Sequence, residues 1–211
     1  IASALVGLGL RPGDFVALCA PNSYAWLVFY FGAIKTGAVA VTFSHLLTKD
    51  ELAKTLADCQ PKVLFTADEK LDDLGDSRER PNPELVICGR GDISFLRLAE
   101  KGTARFKTVD RDRHDTAAIL YTGGTTGIPK GAMLTHQNIQ TSVFNVAHYE
   151  RSTPDDRALC FLPLNHVFGQ MHILGGTVLS GGSIVLMPSF DLDQVLEAIQ
   201  RHQVTKFFAV P

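Results

Sequence analysis

The sequence has no surplus of either charge. Its 20 basic and 22 acidic residues leave a net charge of −2 in 211 residues. No basic field advertises nucleic acid and no acidic tail is present, so a charged ligand would have to be held by a local site. Cysteine is scarce. Cys19, Cys59, Cys88 and Cys160 stand far apart with no C-x-x-C pair, which argues against a zinc site or a disulfide framework. Cys19, Cys88 and Cys160 fall in apolar runs and read as buried thiols of a reducing, cytoplasmic compartment. No uninterrupted membrane-length run occurs. Lys35 and Gly37 break the apolar stretch from Tyr24 to Phe43. The stretch from Ala158 to Phe190 contains no Asp, Glu, Lys or Arg, yet Pro163, Asn165, His166, Gln170 and two Gly-Gly pairs interrupt it. A spanning helix needs about 20 mostly apolar residues, so buried helix-and-strand pairs fit better.

What is present is ordinary globular chemistry, with 45% hydrophobic and 20% charged residues. Strand-like runs alternate with helical patterns. "DFVALCA", "AVAVTF", "KVLFT", "ELVICG", "TAAILYT", "ALCFLP", "SIVLM" and "TKFFAV" read as strands, and "AMLTH" as a short one. Between them, "PNSYAWLVFYFGAIKTG" reads as a helix capped by Asn22 or Ser23 and ended by Gly37. Thr48 and Glu51 have capping-box spacing, and Asp191 is placed to cap "DLDQVLEAIQRHQ". "HVFGQMHILGGTVLSG" reads as one buried helix. This order predicts an α/β fold, a mainly parallel sheet flanked by helices. Two segments are expected. Residues 1–110 form a first α/β subdomain with a polar excursion at about 68–83, and residues 111–211 form a second. Ile1 lies within a helical pattern and Pro211 follows a strand-like run, so both ends read as cut.

The chemistry concentrates in "YTGGTTGIPKG", Tyr121 to Gly131. It follows a buried strand, and open α/β sheets bind ligands at the carboxyl ends of their strands. Gly123, Gly124 and Gly127 allow positive φ and close backbone approach. Successive amides in such a bend form a concave anion nest. Thr122, Thr125 and Thr126 add hydroxyl donors, one of which could face a metal-bound water. Pro129 restrains the loop and Lys130 supplies a mobile positive charge. The sum is a polyphosphate cradle. It is not a P-loop, because Pro129 precedes the lysine and Gly131 follows it, and "GGTTG" does not match the dinucleotide fingerprint.

"YTGGTTGIPKGAMLTHQN" closely resembles the signature of the AMP-binding, adenylate-forming enzymes, which include acyl-CoA synthetases, peptide-synthetase adenylation domains and beetle luciferases. "GLRPGDFVALCAPNS" with "FGAIKTGAVAV", the motif "LPLNHVFGQ" and the closing "KFFAVP" are similar to the same family in the same order. The wording is most like that of fatty-acid–CoA ligases. The resemblance implies part of the large N-terminal domain of such an enzyme, with ATP, Mg2+ and CoA as reactants. Tyr121, Thr122, Gly123, Gly124, Thr125, Thr126, Gly127, Lys130 and Gly131 would hold the nucleotide, with Thr126 toward the metal. Lys130 and His166 would be catalytic, His166 lying beside the carboxylate and gating between half-reactions. The family's usual aromatic before that histidine is Asn165 here. His172 follows His166 by too awkward a spacing to suggest a metal pair.

The family's adenine and acidic magnesium motif, ribose aspartate, hinge, C-terminal domain and catalytic lysine have no match in these residues. The expectation is therefore an N-terminal piece that does not turn over alone. Two alternatives stay open: an adenylation domain loading a carrier protein, and a non-catalytic phosphate-binding module. Partners are expected to be small molecules, with no nucleic acid and no transmembrane segment. Peripheral membrane contact, the oligomeric state and the acid itself stay open.

Overall fold

The computed structural model describes residues 1–74, 83–122 and 130–210. It divides by internal contacts into two compact units, one of Ile1–Ala20 with Ala25–His136 and one of Pro21–Tyr24 with Gln137–Pro211.

The first unit is built on six strands, β1 (Phe15–Cys19), β2 (Val39–Thr42), β3 (Val63–Thr66), β4 (Leu85–Ile87), β5 (Thr116–Thr122) and β6 (Lys130–Thr135), in the order β4-β3-β1-β2-β5-β6. Every pairing is parallel except that of β5 with β6. All four residues of β2 and of β3 are buried. Near-continuous burial is what a parallel strand covered on both faces requires. Neighbouring side chains on β3 serve opposite layers, as the two-residue period of a strand dictates. Leu64 packs with Leu52, Leu56 and Cys59 of α3 (Lys49–Cys59), whereas the Phe65 ring stacks on Phe29 of α2 (Tyr24–Lys35) at 4.8 Å. Residues 116–135 join this first sheet because β5 pairs with β2, from Ala40 opposite Ala118 to Thr42 opposite Leu120. The contact division thus falls at His136 and not near residue 110.

Helix ends follow local chemistry. The Thr48 side chain accepts from the Glu51 N–H, and Glu51 Oε2 accepts from the Thr48 N–H at 2.9 Å, which closes the expected capping box. Asp191 Oδ1 accepts from the Gln194 N–H at 2.9 Å and starts α8 (Leu192–His202). Helix α2 ends just before Gly37, whose φ is +79°. Replacing Thr48 by alanine removes the cap and should destabilise the first unit by about 1 kcal/mol. A urea melt reads this directly, and an unchanged midpoint would show that the box contributes nothing.

The helices α1 (Ala2–Gly7), α4 (Leu71–Leu74) and α5 (Phe95–Lys101) complete the first unit. The expected polar excursion begins as ordered structure, a 3-10 turn at Asp68–Lys70 followed by α4. Lys70 explains part of this order: its ammonium donates to the Leu47 carbonyl at 2.6 Å and pairs with Asp73 at 3.0 Å. The remainder of the excursion, 75–82, lies outside the described residues.

The second unit is a three-stranded parallel sheet, β8 (Ser183–Leu186), β7 (Arg157–Cys160) and β9 (Lys206–Phe207) in that order, with α6 (His136–Tyr149) and α8. Leu159, Phe161, Met187 and Val195 form its core. Two expectations are corrected here. "TKFFAV" pairs only through Lys206 and Phe207. "HVFGQMHILGGTVLSG" is a π-helical stretch at Phe168–Gly175 that passes into the short helix α7 (Gly176–Ser180), and its far end is open, with Val178 and Leu179 exposed. Among the described residues no helix is long and apolar enough to cross a membrane.

Candidate active site

Strand β5 rises through the sheet and ends at Thr122, and β6 returns antiparallel beside it. The register places Tyr121 opposite Gly131 and Thr122 opposite Lys130. The glycine–threonine segment is therefore the connection of a β-hairpin closed by the Thr122–Lys130 pair. The Thr122–Lys130 pair stands at the carboxyl end of β5, the end at which a parallel sheet presents its ligands. Gly123, Gly124, Thr125, Thr126 and Gly127 themselves lie outside the described residues.

The described flank brings four expected site residues together. Lys130 and Thr122 are exposed, and the Thr122 hydroxyl lies 3.5 Å from the Lys130 carbonyl oxygen. Gly131 is required by its surroundings: a Cβ there would come within 2.6 Å of Ile119 Cγ2 and 3.2 Å of the Tyr121 ring. Tyr121 is turned to a structural task. Its hydroxyl donates to Asp58 at the end of α3, and its ring meets Phe43 edge-on at 6.1 Å. Burial, with the Asp58 carboxylate second, pushes the phenol further up, so it stays protonated. The hydroxyl thus pins the base of the hairpin to α3, and Tyr121 offers its neighbours anchorage. Asp58 was not legible as a partner, because nothing local in "LADCQ" marks one acid as bound to a tyrosine 63 positions away.

His166 belongs to the second unit and is exposed. It sits on a turn in which its N–H donates to the Pro163 carbonyl at 3.1 Å and its own carbonyl accepts from the Gln170 N–H at 2.9 Å. Its Nδ1 accepts from the Phe168 N–H at 3.3 Å. The turn is held from below by Asn22, expected as a helix cap. The Asn22 carboxamide donates to the carbonyls of Leu162 at 2.9 Å and Met187 at 3.2 Å, and accepts from the Leu164 N–H at 2.9 Å. Gly169 completes the fit, since a Cβ there would press into the Pro163 carbonyl and come within 2.9 Å of the Leu162 oxygen. A π-helical stretch, Phe168–Gly175, begins two residues after His166, and such turns are frequent at functional sites.

The remaining polar groups narrow the chemistry. All four cysteines are free and buried, and burial pushes Cys19, Cys59 and Cys160 up to about 12. Such thiols are not nucleophiles near neutral pH. Among the described residues no group of three or more His, Cys, Asp or Glu side chains could hold a metal ion, and the candidate ligand Thr126 lies outside them. His172 faces Glu150 at 3.5 Å, with Phe168 and Phe208 packed edge-on against its ring.

The chain is 34% identical over 225 residues to 4-coumarate–CoA ligase 3 of Arabidopsis thaliana, covering 100% of this chain and 39% of that protein. Crystal structures of MatB from Rhodopseudomonas palustris share 33% identity. The apo form matches with a TM-score of 0.86 over 100% of this chain and 42% of MatB, and the ATP-bound form with 0.84 over 95% and 40%. A long-chain-fatty-acid–CoA ligase from Archaeoglobus fulgidus matches with a TM-score of 0.87 at 26% identity, over 97% of this chain and 41% of the ligase. The chain thus spans about two fifths of the length of these relatives. The model of the AMP-binding enzyme family matches residues 1–211, and the chain belongs to that family.

Proposed function

We propose that the protein carrying this chain is an ATP-dependent carboxylic acid–CoA ligase that works through an acyl-adenylate, with a fatty or related acid as substrate. The observation that carries this reading is the β5–β6 hairpin: Lys130 stands opposite Thr122, across the mouth of the glycine–threonine segment. In the first half-reaction a carboxylate oxygen attacks the α-phosphorus of ATP and the bond to the β-phosphate bridge breaks. Pyrophosphate leaves with the electron pair. Charge builds on the β- and γ-phosphates as it departs, and fixed donors aimed there stabilise it. The Lys130 ammonium is a compact, exposed charge suited to this, and the Thr122 hydroxyl lies 3.5 Å from the backbone carbonyl of the same residue. Magnesium, if bound, would be faced by the Thr126 hydroxyl and would offset part of the phosphate charge. In the second half-reaction the CoA sulfur attacks the acyl carbon and AMP leaves.

In this reading His166 lies beside the carboxylate. Because Nδ1 accepts from the Phe168 N–H, the neutral ring carries its proton on Nε2 and offers a donor outward. The uncharged stretch from Ala158 to Phe190 supplies apolar surface for the acyl chain. This chain alone binds phosphate without turning over.

ATP–pyrophosphate exchange by the full-length protein, run against a panel of carboxylic acids, tests the reading. Exchange that depends on one class of acid, followed by release of its CoA thioester, is the expected result. Exchange without CoA acylation would move the acceptor to a carrier protein. Nucleotide binding with no exchange for any acid would leave only a phosphate-binding module.

A further inference from the structure

We propose that Asn22 and Gln170 are positioning residues for His166: together they hold the Leu162–His166 turn so that the ring is fixed as the Nε2–H tautomer facing outward. The inference rests on the role given to His166 above. Both amides are buried, Asn22 8% and Gln170 2% exposed. Between them they engage three backbone groups of two residues. Asn22 takes the Leu162 carbonyl and the Leu164 N–H, and Gln170 Nε2 donates to the Leu164 carbonyl at 3.0 Å. Asn22 also ties this turn to the end of β8 through the Met187 carbonyl.

Buried amides satisfied in this way make a turn stiff, because each lost partner leaves a desolvated polar group. The turn then determines the histidine. Its N–H and carbonyl are both engaged, by Pro163 and Gln170, so the backbone cannot swing. The ring accepts from the Phe168 N–H, which requires Nδ1 to be unprotonated. An exposed histidine would otherwise sample both tautomers and several rotamers. A ring held in one tautomer and one direction presents a ready donor to an acyl oxygen, with no reorganisation at the moment of reaction.

The test uses 15N-histidine-labelled chain and NMR near neutral pH, with the His166 signals identified by their loss in His166→Asn. In wild type the neutral ring of His166 should be a single tautomer, Nδ1 bare and Nε2 protonated. Asn22→Ala and Gln170→Met should each give averaged tautomers at His166 and at least tenfold faster exchange of the Phe168 amide. The signals of His45 and His136, in the other unit, should not move. In the full-length protein the same variants should lower kcat for pyrophosphate exchange about tenfold and leave the KM for ATP unchanged. A neutral ring protonated on Nδ1 in the wild type would overturn the proposal even if both variants fail to fold. A folded variant that keeps the single tautomer and a protected Phe168 amide would overturn the part given to its amide. Loss of exchange activity for every acid, with the tautomer intact, would remove the catalytic reading and leave the positioning.

Discussion

Lys130→Ala in the full-length protein should slow adenylation roughly a hundredfold, the usual cost of removing one donor that acts on developing charge. The basis is geometric. Lys130 is exposed at the first position of β6 and directly across the strand pair from Thr122. Its side chain is exposed, so the substitution empties no buried space and folding should be unaffected. Arginine should restore little, because a planar fork does not replace a compact ammonium point charge. Pyrophosphate exchange at saturating ATP reads the effect. A variant that exchanges at the wild-type rate would remove Lys130 from the chemistry.

Gly169→Ala should be the most damaging single-methyl change in the second unit. The added carbon meets backbone oxygens of Pro163 and Leu162, not the far end of a flexible side chain. The π-helical stretch or the Leu162–His166 turn must shift to admit it. Overpacking of this kind costs about 1–3 kcal/mol. In a chain of this size each kcal/mol lowers Tm by about 2–4 °C. Because Asn22 and Gln170 hold the same turn, the shift should also disturb His166. Calorimetry on the variant checks the first effect, and an unchanged Tm would mean that the turn is looser than its hydrogen bonds imply.

Much of this was legible where the chemistry is local. The Thr48–Glu51 box and the Asp191 cap are set by residues three positions apart, and both formed as read. The α/β alternation followed from apolar runs, and the parallel sheet followed from the alternation. The glycine–threonine motif announced its family by its wording, and the family model matches residues 1–211. Long-range partners were not legible. Asn22 looked like a cap because it precedes a helix, yet its side chain reaches backbone 140 and 165 positions away. Tyr121 looked like a ligand residue because it belongs to the motif, yet its hydroxyl is committed to Asp58. Pairing of β5 with β2 drew residues 116–135 into the first unit, a choice that hydrophobic periodicity cannot express. The π-helical turn was likewise hidden, since an apolar run reads the same whether it winds as α or π.

The central claim is that the β5–β6 hairpin grips the departing end of a nucleotide. An NMR titration of the 15N-labelled chain with inorganic tripolyphosphate tests it most directly. Saturable shifts centred on Thr122, Lys130 and Gly131 and on the segment between them are the predicted result, and they should vanish in Lys130→Ala. Saturable shifts elsewhere, with these amides unmoved, would contradict it.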